Sequence, residues 1–422
     1  MTKSDPDSSR FCVAQWLAPD QELFEKWMAG RVHVMTGDEG ELPLVLRRFA
    51  NVVTADPALN LLFSEMFGQV PEEPPFHQDP AGGPRLLDFP HMLRLMARLL
   101  QQAPEFNETR MVGLPLHTML NWAMGTKSGF FAFLHPEVNR CLKDILNEWG
   151  RFLKSPESRY VLTDDADIGW FSAAARKKMP DFERDFQCDD ASPYHGFLSW
   201  DDFFTRRLKA GARPVAAPKD DLVVVNPCEA APFKIARNVK PLDLFWIKSQ
   251  PYSLHEMMAH NPLAEHFEGG TVYQAYLDAY NYHRWHSPVS GTIVEAFVTD
   301  GSYFSATLAV EPAESLSRHA QGYLAHVATR AILFIQADHP AIGLLCLVAI
   351  GMGEVSTCEI TVAVGQHAEK GSQLGMFHFG GSTTCLVFRP EVDIEFDLNG
   401  VTPDVHAKKL LVNSLLANVV EH

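Results

Sequence analysis

The segment from Met376 to Thr384 constrains this chain more than any other stretch. Large apolar residues alternate up to two glycines, Gly380 and Gly381, and Ser382 follows directly. Paired glycines permit positive φ and close backbone approach, at an entropic cost that an ordinary strand end does not need. One interpretation is a strand that ends in a plain glycine turn. The other is a peptide held so that the Ser382 hydroxyl can attack its own preceding carbonyl.

Two upstream stretches favour the second interpretation. One reads YHRWHSPVSGT at 282–292, and the other runs from DFFTRRL at 202–208 and GARPV at 211–215 to NPCEA at 226–230. Together with GGST at 380–383, which follows them in the sequence, these stretches resemble the phosphatidylserine decarboxylase family of pyruvoyl enzymes. That family carries FFxRxLKxGxRP, a PxDG-type acid, YHRxHxP and a C-terminal GGST or LGST in this order. The resemblance covers about residues 195–422, and WIK at 246–248 with YSL at 252–254 fits it as well.

Within the family, the chain is similar to a fungal branch that includes L-tryptophan decarboxylases. The stretches that carry this likeness are 279–286, 350–352, 356–359 and 374–382, with 129–133 and 147–150 in the N-terminal half. The resemblance implies a pyruvoyl-dependent carboxy-lyase that acts on a free, aromatic L-amino acid such as L-tryptophan.

The same resemblance and the pattern of apolar residues and glycines along the chain together predict an α+β fold. A helical N-terminal region over 1–190 precedes a β-rich, phosphatidylserine-decarboxylase-like catalytic domain over 191–422. Apolar residues recur at helical spacing over 91–101 and again from Pro136 to Leu153, where the proline suits a first helical turn.

Further along, short β-branched segments separated by glycines predict strands. Residues 287–298 predict a turn followed by a strand, and 360–366 and 374–377 predict a second strand–turn–strand pattern. The apolar run 341–352 is too short to span a bilayer and predicts a buried strand. Residues 71–84, rich in proline and glycine, predict a loop.

The resemblance implies self-cleavage between Gly381 and Ser382, giving chains 1–381 and 382–422. Ser382 forms an ester by an N-to-O acyl shift, and elimination then leaves a dehydroalanine that hydrolyses to a pyruvoyl group. His286 would be the base and Glu229 the acid that orients it. The family usually has aspartate where this chain has Glu229, so the carboxylate is one methylene longer here.

The covalently bound pyruvoyl group derived from Ser382 is the implied cofactor, which forms a Schiff base with the substrate amine. We predict His283 as the acid of the decarboxylation step, with His378 as a second candidate for it. Phe379 and Tyr282 are candidate substrate-pocket residues together with His378. The alternatives are that His378 faces solvent and that the aromatic residues belong to the core.

No metal is predicted for the two motif histidines. In an extended segment, the spacing between His283 and His286 places their side chains on opposite faces, so they cannot share one ligand sphere. A third ligand at a suitable spacing is not evident in the sequence.

The charge balance argues against two classes of partner. Lysine and arginine number 36 against 52 acidic residues, for a formal net charge of −16. Such a surface disfavours nucleic acid and anionic membrane leaflets, both of which attract basic clusters. The predicted partners are the amino-acid substrate and the two cleaved chains, which form a heterodimer, and further oligomerisation is left open.

We expect a cytoplasmic protein without a transmembrane segment. The N-terminus has no apolar stretch typical of a secretory signal, and the seven scattered cysteines lack CxxC spacing, which favours reduced thiols. Two other functions stay open at this point. One is a phosphatidylserine decarboxylase that makes phosphatidylethanolamine, and the other is an inactive relative that serves as a binding or scaffold protein.

Overall fold

The structure is a computed structural model. It describes residues 41–70, 86–106, 115–242, 252–278, 280–304, 320–355, 357–379, 381–404 and 407–421. The chain forms two compact units, the first from residues 1–175 and 302–320 and the second from 176–301 and 321–422. The predicted α+β class is confirmed, since helices build the first unit and antiparallel sheets the second. The division at residue 190 stays a prediction.

The first unit is helical throughout its described elements. They are α1 (Leu44–Ala55), α2 (Pro57–Gly68), α3 (Phe89–Leu99), α4 (Pro115–Met124), α5 (Lys127–Leu134), α6 (Pro136–Leu153) and a 3₁₀ helix (Pro156–Val161), with α7 (Ala173–Lys178) at its boundary. The two predicted helices are confirmed as α3 and α6. Pro136 starts α6, because a first-turn residue needs no backbone N–H. Phe49, Phe63 and Phe133 pack within the core of this unit at centroid distances of 5.6 and 6.0 Å.

The second unit is built mainly from three antiparallel sheets. Its strands are β1 (Val223–Val225), β2 (Ala231–Arg237), β3 (Thr271–Leu277), β4 (Arg284–His286), β5 (Gly291–Thr299), β6 (Arg330–Ala337), β7 (Leu344–Met352), β8 (Thr357–Ile360), β9 (His367–Ala368), β10 (Gln373–His378), β11 (Gly381–Phe388), β12 (Ile394–Phe396) and β13 (Leu415–Val419). The strand orders are β2-β3-β11-β7-β6-β5-β9, β4-β10-β8 and β1-β13-β12.

Short helices accompany these sheets. They are α8 (Phe182–Asp185), α9 (Trp200–Phe204), α10 (Leu254–Met257) and α11 (Ala320–Val327), with 3₁₀ helices at Pro193–Gly196, Pro262–Phe267 and Gly353–Val355. Residues of α10, α11 and the 3₁₀ helix Pro262–Phe267 share one buried apolar cluster with β3, β6, β7 and β11. This cluster covers one face of the large sheet.

The predicted strands are confirmed with one exception. The apolar run became β7, which lies between β6 and β11 and is buried, and the turn before β5 is present. The strand predicted over 360–366 is wrong beyond Ile360, where β8 ends. Gln366 donates to the Ala363 carbonyl at 3.0 Å and Gly365 has φ +83°, so these residues form a turn that leaves Val364 64% exposed. The loop predicted at 71–84 lies outside the described residues.

Two predictions about the chain as a whole concern its cysteines and membrane segments. Six cysteines are free in the described part of the chain, and Cys12 lies outside it. Among the described helices, none combines the length and apolar character needed to cross a bilayer.

Candidate active site

The link between β10 and β11 carries the predicted cleavage site. Ser382 lies in β11, where its Cα pairs with Leu277 of β3 on one side and with Gly351 of β7 on the other. Gly380 and the Ser382 side chain lie outside the described part of the structure. Antiparallel pairing on both sides holds the backbone of Ser382 in a fixed register.

Backbone strain occurs just before the two glycines. Phe379 has a φ of +40°, a left-handed conformation that costs a residue with a Cβ about 1–3 kcal/mol. Its ring is buried against Trp200 and Phe204 of α9, at centroid distances of 4.6 and 5.9 Å. Packing of the Phe379 ring against these two aromatic side chains therefore compensates the cost of the strained backbone. The predicted place of Phe379 in a substrate pocket stays a prediction.

His286 is held in one tautomer by two hydrogen bonds. Its Nδ1 lies 2.7 Å from the Gly371 carbonyl and its Nε2 lies 2.8 Å from the Tyr282 hydroxyl. A carbonyl only accepts, so the neutral ring carries its hydrogen on Nδ1 and its lone pair on Nε2. Burial lowers the pKa of His286, with the Arg284 charge adding to the effect, while the bond to Gly371 and the Glu229 charge oppose it. A neutral imidazole of this kind can accept a proton at Nε2.

Glu229 is buried in a charged network instead of touching His286. One carboxylate oxygen accepts from Arg213 Nε, and the other lies 3.4 Å from Lys409 Nζ. Arg213 also donates to Asp185 Oδ2 at 2.8 Å, so one guanidinium joins two buried carboxylates. The direct contact expected between Glu229 and His286 is not among the hydrogen bonds between described residues.

The segments around Glu229, His286 and Ser382 nevertheless meet. The His286 backbone N–H donates to the Pro227 carbonyl at 2.9 Å. Cys228 is hydrogen-bonded to the side chain of Thr384, which lies two positions after Ser382 in β11. The acid segment therefore reaches both the histidine motif and the strand that contains the predicted cleavage site.

His283 has different surroundings from His286. Its ring is fully buried and stacks on Phe204 at a centroid distance of 4.0 Å, and its carbonyl accepts from Phe377 N–H at 3.0 Å. Tyr282, predicted as a pocket residue, is buried with its hydroxyl on His286, and burial raises its pKa. In the described part of the chain, the group with metal-ligand spacing is Glu183, Asp190 and His195, which includes neither motif histidine.

His378 contacts acids at both ring nitrogens. Nδ1 lies 2.9 and 3.0 Å from the two oxygens of Asp201, and Nε2 lies 2.8 Å from Glu359 Oε2. Its side chain is 11% exposed, so the alternative that it faces solvent is wrong. Its roles as proton donor and pocket residue stay predictions.

Thr383, the second residue after the predicted point of cleavage, is fixed by buried polar contacts. Thr383 Oγ1 donates to the Ala275 carbonyl at 2.8 Å and accepts from Gln274 Nε2 at 3.2 Å. The Gln274 amide oxygen accepts from the Tyr252 hydroxyl at 2.5 Å. Tyr252 belongs to the YSL part of the family pattern, which gives that motif a structural role beside the predicted cleavage site. Residues 246–248 lie outside the described part of the chain.

Sequence reasoning did not find Asp201, Arg213 or the contact between Tyr282 and His286. Asp201 lies two residues before Phe203, the first residue of the FF pair, and Arg213 is the arginine of GARP. Their positions, next to one motif stretch and inside another, were the available signal. Their partners lie 177 and 16 residues away, so no local pattern joins them.

Comparison with known proteins gives the family of this chain. Two family models, both described as phosphatidylserine decarboxylase, match residues 43–179 and 200–408. Decarboxylase iboD of Amanita muscaria is 40% identical, and the match covers 77% of this chain and 99% of that protein.

Two other fungal relatives carry a substrate in their names. The L-tryptophan decarboxylase of Psilocybe cyanescens is 40% identical over 69% of this chain and 71% of its own length. The L-tryptophan decarboxylase of Psilocybe cubensis is 33% identical over 83% of this chain and 81% of its own length. The chain is a carboxy-lyase that belongs to the phosphatidylserine decarboxylase family, in the fungal branch of these relatives.

Proposed function

We propose that this chain decarboxylates a free L-amino acid, aromatic and of the type of L-tryptophan, through a pyruvoyl group made from Ser382. The observation that carries this proposal is its likeness to two L-tryptophan decarboxylases and, over 99% of that protein's length, to decarboxylase iboD. Fold alone does not determine a substrate, so the relatives' names carry that part of the proposal.

Self-cleavage would be performed by groups of the chain itself. The Ser382 Oγ bonds to the Gly381 carbonyl carbon as the Gly381–Ser382 C–N bond breaks, and the proton passes from oxygen to nitrogen. Loss of the Cα proton then expels Gly381 as a carboxylate, and water replaces the nitrogen, which leaves as ammonia. The lone pair of His286 Nε2, which faces the Tyr282 hydroxyl in this structure, supports its assignment as the base, and the nearby Glu229 charge favours the imidazolium that results.

The surroundings of residue 382 fit a pyruvoyl group. When present, its carbonyl supplies an electron sink for the pair of electrons left as carbon dioxide departs. The Thr383 contacts with Gln274 and Ala275 would hold the new chain end in the sheet. His283 is our candidate for returning a proton to the substrate carbon, because it is buried within the motif and lies against β10.

A substrate panel tests this proposal. Purified protein is assayed for carbon dioxide release from L-tryptophan, other free L-amino acids and phosphatidylserine vesicles, and its intact mass is measured in denaturant. We expect two chains that divide at Gly381–Ser382 and release from an aromatic amino acid. Release from vesicles alone would make it a phosphatidylserine decarboxylase. A single inactive chain would indicate the scaffold function. A cytoplasmic location stays a prediction.

A further inference from the structure

The proposed chemistry leaves the ion pairs of His378 unexplained. Its two ring nitrogens contact Asp201 at 2.9 and 3.0 Å and Glu359 at 2.8 Å. Carboxylate oxygens accept hydrogen bonds, so both contacts are satisfied together only when both ring nitrogens carry hydrogen. The His378 and Asp201 side chains are each 11% exposed, which protects their pair from solvent competition.

Helix α9 contacts His378 and Phe379, two successive residues that precede the proposed cleavage site. Its Asp201 binds His378, and its Trp200 and Phe204 pack on the ring of Phe379. Phe379 has the left-handed φ of +40°. A shift of this one helix would therefore release both the ion pair and the aromatic contacts that maintain the strained conformation.

The C-terminal side of α9 is in turn attached to the histidine motif. Arg284 Nε donates to the Thr205 carbonyl at 2.7 Å, and Arg206 donates to the Asn281 carbonyl at 2.8 Å. Both arginines are buried. The position of α9 is thus coupled to the segment that supplies His283 and His286.

We propose that His378 is a positioning residue for self-cleavage. Its ion pair with Asp201 ties the end of β10 to α9 and keeps Phe379 in the strained conformation that presents the Gly381–Ser382 peptide. Once that bond breaks, Phe379 lies two residues from a new chain end, where its φ can relax. The strain is then present before cleavage and absent after it. This inference rests on the self-cleavage proposed above.

The test measures the rate of cleavage in newly made protein. Full-length chains are pulse-labelled in cell-free translation, and the conversion to two chains is followed by gel and intact mass. The variants are His378→Asn, Asp201→Asn, their double variant and Asp201→Glu. His367→Asn is the matched control, because the His367 Nε2 also lies 2.8 Å from an aspartate, Asp338, but the His367 side chain is 44% exposed.

We expect His378→Asn and Asp201→Asn each to slow cleavage about tenfold, the factor typical of losing one charge-assisted hydrogen bond. The double variant should be no slower than the slower single variant, because both changes remove the same ion pair. Asp201→Glu should recover part of the rate, and His367→Asn should cleave like the wild type.

Three results would overturn the proposal while the wild type cleaves. They are unchanged rates in both single variants, effects that multiply in the double variant, and equal rates for Asp201→Asn and Asp201→Glu. If thermal unfolding shows that His378→Asn does not fold, the comparison of Asp201→Asn with Asp201→Glu tests the proposal by itself. A wild-type chain that stays intact would instead contradict self-cleavage itself, and with it the proposed function.

Discussion

At the scale of single residues, His286 shows how hydrogen bonding prepares a base. The hydrogen bond to the Gly371 carbonyl fixes the ring hydrogen on Nδ1, and Nε2 accepts a hydrogen bond from the Tyr282 hydroxyl. Burial lowers the pKa of the ring, so it stays neutral at pH values where an exposed histidine begins to protonate. The same contacts keep the ring in one orientation.

We predict that His286→Ala and Ser382→Ala each leave a single uncleaved chain. Because the base must be neutral and its pKa is lowered from 6.5, cleavage of the wild type should persist below pH 6.5 and fail only at lower pH. Intact mass after incubation at a series of pH values measures both effects. His367→Ala is the control and should cleave. A cleaved His286→Ala chain would show that another group is the base.

His283 is expected to act after cleavage instead. We predict that His283→Ala cleaves normally but releases carbon dioxide at least about a hundredfold more slowly, the typical contribution of a general acid. Carbon dioxide release per cleaved chain is the measurement. Full activity in a cleaved His283→Ala protein would refute the assignment.

At the scale of elements, Arg213 joins α8 to the start of β2. Its guanidinium contacts Asp185 at the end of α8 and Glu229 just before β2, and all three side chains are at most 7% exposed. Buried carboxylates without a cation are strongly unfavourable. The GARP motif therefore stabilises the acid segment.

We predict that Arg213→Ala lowers the free energy of unfolding by about 3–5 kcal/mol, the usual cost of breaking a buried ion pair. Urea denaturation measures it. Arg184→Ala is the matched control, because Arg184 pairs with the same Asp185 from a side chain that is 68% exposed. Its removal should change stability little. Equal effects of the two variants would contradict the argument.

Helix α4 contains a histidine whose burial makes the helical unit sensitive to acid. Burial lowers the pKa of His117 from 6.5 to about 4. Between these values the unfolded chain binds a proton that the folded chain does not, so stability falls as pH decreases, by up to about 3 kcal/mol. Denaturation of wild type and His117→Phe from pH 7 to 4 measures this. The variant should lose less stability than the wild type. His260→Asn, at a side chain 67% exposed, should behave like the wild type.

At the scale of the whole molecule, the two predicted chains would remain interleaved after cleavage. Strand β11 of the short chain pairs with β3 and β7 of the long one, and β13 pairs with β1. These contacts are backbone hydrogen bonds and apolar packing, which salt does not screen.

We therefore predict that the cleaved chains elute as one species in size exclusion, both in dilute buffer and in 1 M salt. They should separate only in denaturant. Dissociation in salt would show that ion pairs such as Glu229–Lys409 hold the chains together.

Local patterns determined much of this protein from the sequence alone. The spacing of apolar residues identified α3 and α6, and the long apolar run identified β7, because burial on one face or both leaves a periodic signature. Ordered motifs identified the family. The predicted strand over 360–366 failed beyond Ile360, because Gly365 could adopt a positive φ that the β-branched residues around it did not reveal.

Only the tertiary structure decided how the site is arranged. In the folded chain, His378 contacts Asp201, which lies 177 residues away in sequence, and Glu229 forms an ion pair with Arg213. The strained backbone conformation occurs at Phe379, before the two glycines. The physical reason is that short-range periodicity reports which residues are buried, whereas hydrogen-bond and charge partners depend on how distant segments pack.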